Sequence, residues 1–143
     1  MESLYSFKCD ILYPMTETIH KKILIVEDDR AESNALVDTL SREGFDVSTA
    51  ENGVKGLERA LADHPDIILL DVMMPEMDGL TMLNKLREDV WGKTVPAIIL
   101  SNLSPDDEIV RQKISGEFSY FMMKANFPLV DVVRAIKKQL GVI

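Results

Sequence analysis

The stretch that decides the fold is DIILLDVMMPEMDG, residues 66–79. It begins with Ile67–Leu70, four consecutive large apolar residues, which are typical of a strand covered on both faces of a parallel sheet. A carboxylate, Asp71, follows directly, and a proline and the pair Asp78-Gly79 come next. Aspartate is almost never fully buried in a protein unless its charge is paired, so an aspartate directly after a buried strand needs an explanation. Asp71 is therefore the first candidate for a functional residue.

Apolar runs and helix-like stretches alternate around this segment. The strand candidates are Ile23 to Val26, Phe45 to Thr49, Ile67 to Leu70, Ala97 to Leu100 and Tyr120 to Met123. Between them, apolar residues recur at spacings of three and four and predict helices, with core-facing positions such as Val54, Leu57 and Leu61. This alternation is the pattern of repeated βα units. We predict an α/β fold, a doubly wound parallel sheet with helices on both faces.

Residues at the ends of the predicted helices support these boundaries. Gly44 is expected to end the first helix, and Asp78-Gly79 to begin the third with a capping acid. Ser104 is expected to cap the fourth helix, with Pro105 at its first position.

Composition excludes several classes of protein. The chain has 143 residues, of which 46% are hydrophobic and 28% charged, and no apolar run approaches the roughly 18 residues of a membrane span. The net charge of -8 disfavours direct nucleic-acid binding, and a lone cysteine, Cys9, fits a reducing compartment. The first residues lack the basic and apolar parts of a signal peptide. We expect a cytoplasmic protein with an extension, partly mobile, over 1–20 and one domain over 21–143.

Polar residues follow four of the five predicted strands, at the sheet edge where ligands bind in such folds. These residues are Glu27-Asp28-Asp29, Asp71, Ser101-Asn102 and Lys124. Singly, each has an ordinary explanation, such as a helix cap or a solvated strand end. Together, however, clustered carboxylates repel one another unless a cation neutralises them, and oxygen ligands of this kind suit Mg²⁺ beside a phosphate. The sequence predicts a metal-assisted phosphate site.

Four motifs, in order, carry a family resemblance. KILIVEDD (22–29), PDIILLDVMMPEMDG (65–79), IILS (98–101) and YFMMK (120–124) resemble the receiver domain of bacterial two-component response regulators. The resemblance covers roughly residues 21–141. It implies a flavodoxin-like (βα)5 fold with a five-stranded sheet of order 2-1-3-4-5.

The resemblance also implies roles for the site residues. Asp71 would accept a phosphoryl group from a histidine kinase or a phosphotransfer protein. The implied Mg²⁺ ligands are Asp28, Asp71, Glu27 acting mainly through metal-bound water, and the main-chain carbonyl of Met73. Ser101 would hydrogen-bond the phosphoryl oxygens, Lys124 would pair with them, and Phe121 would change rotamer as the state changes. The chain would be a signalling switch and not an enzyme in the usual sense.

Output, on this resemblance, is made through the surface of helix four, strand five and helix five. Only Gly141–Ile143 follow the last predicted helix, so we expect a stand-alone receiver domain without an attached output domain. The expected partners are the phosphoryl donor and an unknown downstream protein. A phosphorylation-dependent homodimer is a further option.

Two positions depart from the family pattern. Lys124 is followed by Ala125 where the family usually has proline, and Asn102 stands where a small residue is usual. Because a cis bond before a residue other than proline costs roughly 3 kcal/mol, we expect a trans peptide at Lys124-Ala125. Apolar Met73 and Leu103, two residues beyond Asp71 and Ser101, are expected to flank the phosphoryl group and exclude water, so self-dephosphorylation should be slow. The alternative is that both side chains point into the core.

Other functions fit less well. A phosphatase of the haloacid-dehalogenase type needs an acid two residues after Asp71, where Met73 stands. A nucleotide hydrolase would need a glycine-rich G-x-x-x-x-G-K loop, which is absent from the sequence. A flavodoxin-like electron carrier would have hydroxyl residues after the first strand, where this chain is acidic. The alternative left open is a receiver fold that acts as a phosphorylation-independent binding module.

Overall fold

The computed structural model describes residues 20–142, so the predicted extension over 1–20 lies outside the described residues except for His20. Strands and helices alternate as predicted. They are β1 (Lys22–Val26), α1 (Arg30–Arg42), β2 (Asp46–Ala50), α2 (Gly53–Asp63), β3 (Ile67–Leu70), α3 (Gly79–Leu86), β4 (Ala97–Ser101), α4 (Glu108–Lys113), β5 (Tyr120–Met123) and α5 (Leu129–Leu140).

The five strands form one parallel sheet in the order β2-β1-β3-β4-β5, which confirms the predicted topology. Side chains alternate between the two faces along β1 and β3. Leu24 and Ile68 lie in a core layer with residues of α2, α3 and α4, whereas Ile23 and Ile67 lie in a second layer with residues of α1 and α5. Both faces are covered, so the central strands are apolar throughout.

Backbone pairing continues beyond the strands into the loops that follow them. The Glu27 amide donates to the Ala50 carbonyl, and the Asp71 amide donates to the Val26 carbonyl, both at 3.0 Å. At Gly79 an added Cβ would lie 1.9 Å from the Asp71 carbonyl oxygen, so α3 can start against the end of β3 only with glycine there. The two acids therefore stand on backbone that the sheet holds in place.

Helix α2 packs against the sheet only partly as predicted. Its buried residues are Gly53, Gly56 and Ala60, whereas Leu61 is 39% exposed. A Cβ on Gly56 would lie 2.8 Å from the Val26 side chain, so the glycine face is the one that packs against the sheet. Leu57 packs against the core as predicted. The prediction that Leu61 faces the core was wrong because the close approach of the helix through its glycines leaves Leu61 outside the contact.

The start of α4 also differs from the prediction. Asp107 caps this helix, with its side chain accepting a hydrogen bond from the Ile109 amide at 2.9 Å. The Ser104 hydroxyl instead accepts a hydrogen bond from the Asp106 amide. The Asp107 amide donates to the Ser104 carbonyl, which closes a turn over these residues. The expected cap at Ser104 was wrong because this turn uses its hydroxyl before the helix begins. The capping acid at Asp78 is confirmed, since it accepts from the Thr81 amide at 2.8 Å.

Polar side chains of α3 and of its end hold the segment between α4 and β5. Asn84 donates to the Lys113 carbonyl at 2.7 Å and accepts from the Gly116 amide at 2.7 Å. The Arg87 guanidinium donates to the Glu117 carbonyl at 2.9 Å.

Among residues 20–142, no helix combines the length and the hydropathy that a membrane-spanning helix needs.

Candidate functional site

Three carboxylates meet at the carboxyl edge of the sheet. Glu27 and Asp28 follow β1, Asp71 follows the neighbouring β3, and each offers an oxygen that lies within 4.8 Å of the others. Glu27 and Asp71 are only 6% and 7% exposed, while Asp28 is exposed to solvent. Because β1 and β3 are parallel neighbours, their carboxyl ends bring these acids together. Three carboxylate oxygens in this arrangement are suitable ligands for a hard divalent cation such as Mg²⁺.

Burial makes the charges of this cluster costly. It raises the pKa of Glu27 from 4.5 to about 7, although hydrogen bonds from Lys124 and from the Asp29 amide act to lower it. Burial also raises the pKa of Asp71, against the charge of Lys124 and the hydrogen bond that the Val72 amide donates to Oδ1 at 2.8 Å. The two buried acids therefore resist ionisation unless more positive charge is supplied.

Lys124, which follows β5, brings an ammonium group to the cluster. Its Nζ lies 2.9 Å from Glu27 Oε1 and 3.7 Å from Asp71 Oδ1, and it also donates to Glu32. Burial lowers the pKa of Lys124, but the hydrogen bonds to Glu32 and Glu27 outweigh this effect and raise the pKa above the ordinary lysine value. Lys124 therefore stays charged and neutralises part of the cluster.

Ser101 lies on β4 and Phe121 on the neighbouring strand β5, where Ser101 pairs with Met123 and Phe121 with Ile99. Ser101 is 0% exposed, and its Oγ accepts a hydrogen bond from the Leu103 amide at 2.8 Å. Phe121 is half-buried against the core layer of α2, α3 and α4, and its ring meets Phe118 edge to face at 6.1 Å between centroids. Asn102 is exposed beside Ser101.

The departure at Ala125 leaves Lys124 in reach of the cluster. All peptide bonds of the described residues are trans, which confirms the expectation for Lys124-Ala125. The ammonium contacts Glu27 with this trans backbone.

Sequence reasoning missed Glu32 and assigned no contact to it. Asp29, which was grouped with the site acids, caps α1 instead by accepting from the Glu32 amide at 3.0 Å. Glu32 lies in the first turn of α1, which starts at the same sheet edge as the site. A helix start beside a predicted site is the signal that could have identified it, since first-turn side chains lie close to the strand end that precedes them.

Comparison with known proteins decides the family. The family model for the response regulator receiver domain matches residues 23–137. The chain belongs to this family. The receiver domain is 39% identical over 112 residues to response regulator PleD of Caulobacter vibrioides, which covers 78% of this chain and 24% of that protein. It is 36% identical to transcriptional regulatory protein CseB of Streptomyces coelicolor over 83% of this chain and 50% of that protein. The chain thus spans half or less of these curated relatives.

Solved receiver domains share the fold. The receiver domain of sensor histidine kinase PA1611 from Pseudomonas aeruginosa PAO1 superposes with a TM-score of 0.76 at 25% identity, covering 86% of this chain and 99% of that one. That crystal structure has a magnesium ion coordinated in its active-site cleft. The signal receiver domain of a histidine kinase from Syntrophus aciditrophicus gives a TM-score of 0.76 at 29% identity, over 86% and 92% of the two chains. The predicted fold class and two-component family are confirmed.

The raised pKa of Glu27 predicts a pH-dependent stability. Because the folded protein binds the Glu27 proton more tightly than the unfolded chain does, protonation of Glu27 adds to the free energy of unfolding. In the absence of metal, this added free energy is complete below about pH 4.5 and is lost as the pH rises through about 7. Glu27→Gln cannot ionise. From pH 5 to pH 8, its free energy of unfolding should therefore rise relative to wild type by about 1 to 2 kcal/mol. Urea denaturation with EDTA at both pH values measures the change.

The matched control is Glu58→Gln, on the exposed face of α2. Its free energy of unfolding should keep a nearly constant difference from wild type over the same pH range. A constant difference for Glu27→Gln as well would contradict the account of a buried acid that resists ionisation.

Proposed function

We propose that this receiver domain is a phosphorylation-dependent signalling switch in which Asp71 accepts a phosphoryl group from a histidine kinase or a phosphotransfer protein. One observation carries the proposal: Asp71 is buried at a strand end within 4.8 Å of two further carboxylates and 3.7 Å from the Lys124 ammonium. A carboxylate can act as a covalent phosphoryl acceptor when positive groups neutralise the charge of the transferring group. We assign the receiver domain to residues 21–143.

The residues that would hold Mg²⁺ are Glu27, Asp28, Asp71 and the main-chain carbonyl of Met73, with Glu27 acting mainly through metal-bound water. The described residues fit this ion because the cluster offers hard oxygen donors and an excess of negative charge. Bound Mg²⁺ would neutralise charge on the phosphoryl oxygens and orient them.

In the reaction, an Asp71 carboxylate oxygen forms the new bond to phosphorus as the bond between phosphorus and the donor nitrogen breaks. The electron pair of the broken bond leaves with the nitrogen of the donor histidine. Lys124 would balance the negative charge of the transferred group. The Ser101 hydroxyl oxygen accepts a hydrogen bond from the Leu103 amide. Since this bond uses a lone pair of the oxygen and not its proton, the hydroxyl can donate that proton to a phosphoryl oxygen.

The output surface, in this proposal, is formed by α4, β5 and α5. Ser101 and Phe121 would shift together towards a second conformer when Asp71 is phosphorylated, since the phosphoryl group interacts with only one of the two conformers. Exposed apolar side chains at Ile109 on α4 and Val130 on α5, and at Phe118 in the loop before β5, support a protein-binding role for this surface. The partner would be a downstream protein or a second phosphorylated copy.

Replacing Asp71 tests the acceptor directly. Asp71→Asn keeps the shape of the side chain but removes the nucleophilic carboxylate, so stable phosphorylation by acetyl phosphate with Mg²⁺ should be abolished. Intact-mass spectrometry measures the gain of one phosphoryl group.

Asp38→Asn is the matched control because Asp38 lies on α1 and pairs with Arg42 at the surface. This variant should gain one phosphoryl group as wild type does. If Asp71→Asn gains the group equally well, Asp71 is not the acceptor. If wild type gains none, the alternative of a phosphorylation-independent binding module replaces the proposal.

We infer further that the phosphorylated form loses its phosphoryl group slowly. Met73 is 53% exposed two residues after Asp71, and Leu103 is half-buried against the core two residues after Ser101. Hydrolysis needs a water molecule in line with the bond that breaks. Neither side chain offers such a water a hydrogen bond.

Polar side chains at these two positions should therefore speed the loss of the phosphoryl group. The double variant Met73→Asn, Leu103→Glu should dephosphorylate several-fold faster than wild type, where a factor of five corresponds to about 1 kcal/mol of activation free energy. The decay is followed by intact mass after donor removal at saturating Mg²⁺. Val90→Asn, at an exposed apolar position after α3, is the control and should decay at the wild-type rate. An unchanged or slower decay in the folded double variant would disprove the role of these side chains.

A further inference from the structure

The Lys124 ammonium is held by two glutamates and not by the candidate acceptor. It donates to Glu27 at 2.9 Å and to Glu32, whereas Asp71 Oδ1 lies at 3.7 Å, outside hydrogen-bond distance. Glu27 belongs to the carboxylate cluster, but Glu32 stands on α1 and is not part of it. The Lys124 ammonium is therefore shared between the cluster and Glu32, a carboxylate outside the cluster.

Local structure fixes Glu32 in this position. The Glu32 amide donates to the Asp29 cap at 3.0 Å, which sets the first turn of α1 at the sheet edge. An acid in a first turn also stabilises the helix through its dipole, and this would be its whole role if its side chain pointed into solvent. The Glu32 side chain instead contacts the Lys124 ammonium, although 43% of the Glu32 side chain is still exposed.

We propose that Glu32 is a positioning residue that holds Lys124 away from Asp71. Lys124 has three N–H donors, and Glu27 and Glu32 occupy two of them. In this arrangement Glu32 weakens the competition between the ammonium and a metal ion for Glu27 and Asp71. It also delays the pairing of Lys124 with a phosphoryl group. The second effect rests on the proposed phosphorylation of Asp71, whereas the first does not.

The two effects predict changes of opposite sign in Glu32→Gln. Once the charge of Glu32 is gone, the ammonium interacts more strongly with Glu27 and Asp71, so Mg²⁺ should bind more weakly, by about three- to tenfold in Kd. At saturating Mg²⁺, Lys124 is free to pair with the transferred group, so the initial rate of phosphorylation by acetyl phosphate should rise about twofold or more. Loss of a helix-stabilising acid alone would lower the melting temperature and would not produce both changes.

The control variant is Glu51→Gln. Glu51 lines the same groove as Asp28 at the site, but it pairs with Lys55 and not with Lys124. It therefore measures what the loss of one nearby negative charge does by itself, which we expect to be less than about twofold in the Kd for Mg²⁺.

The decisive experiment is a calorimetric Mg²⁺ titration of both variants, in the wild-type background and in Lys124→Ala. Glu32→Gln should weaken Mg²⁺ binding more than Glu51→Gln does in the wild-type background, and no more than Glu51→Gln when Lys124 is absent. An equal effect of the two variants in the wild-type background, or an effect of Glu32→Gln that persists without Lys124, would overturn the inference.

Phosphorylation is measured separately by intact mass at saturating Mg²⁺. A phosphorylation rate of Glu32→Gln at or below that of Glu51→Gln would also overturn the inference. If wild type itself gains no phosphoryl group, the proposed function fails, and the Mg²⁺ titration alone then decides whether Glu32 positions Lys124.

Discussion

The structure depends on a local shortage of positive charge. Glu27 and Asp71 are buried at the ends of adjacent strands, and the Lys124 ammonium lies 2.9 Å from Glu27 and 3.7 Å from Asp71. Ionising both acids costs free energy in this environment, and one ammonium, shared with Glu32, offsets only part of that cost. A site in this condition favours the binding of a divalent cation. This condition is the physical basis on which we propose a metal-dependent phosphoryl acceptor.

The fold keeps the two acids incompletely neutralised because it holds their backbone in place. Strands β1 and β3 lie in the middle of the sheet and are covered by helices on both faces, so close packing holds the backbone that carries the two carboxylates. Backbone hydrogen bonds from Glu27 and Asp71 continue the ladder beyond the strands. Gly79 lets α3 start directly against the Asp71 backbone. The apolar core thus contributes to function because it fixes where the charges must stay.

Much of this arrangement could be predicted from the sequence. Parallel strands end at a common edge, so the order of apolar runs was enough to predict that Asp28, Asp71 and Lys124 meet there. Side-chain choices among near-equal options could not be predicted. Leu61 is exposed because glycines allow a closer helix approach, and Asp107 caps α4 because a turn uses Ser104 first. The contact of Glu32 with Lys124 joins residues 92 positions apart. The helix start beside the predicted site could have pointed to Glu32, but it could not have identified Lys124 as its partner.

Competition between Lys124 and a metal ion for the same carboxylates is the central claim. The most direct test is a Mg²⁺ titration of wild type against Lys124→Ala, with Lys137→Ala, whose partner is Glu43, as the control for the loss of one positive charge. The account predicts that Lys124→Ala binds Mg²⁺ more tightly than both wild type and the control. Weaker binding by Lys124→Ala would contradict it, because the ammonium would then support the metal site instead of competing for it.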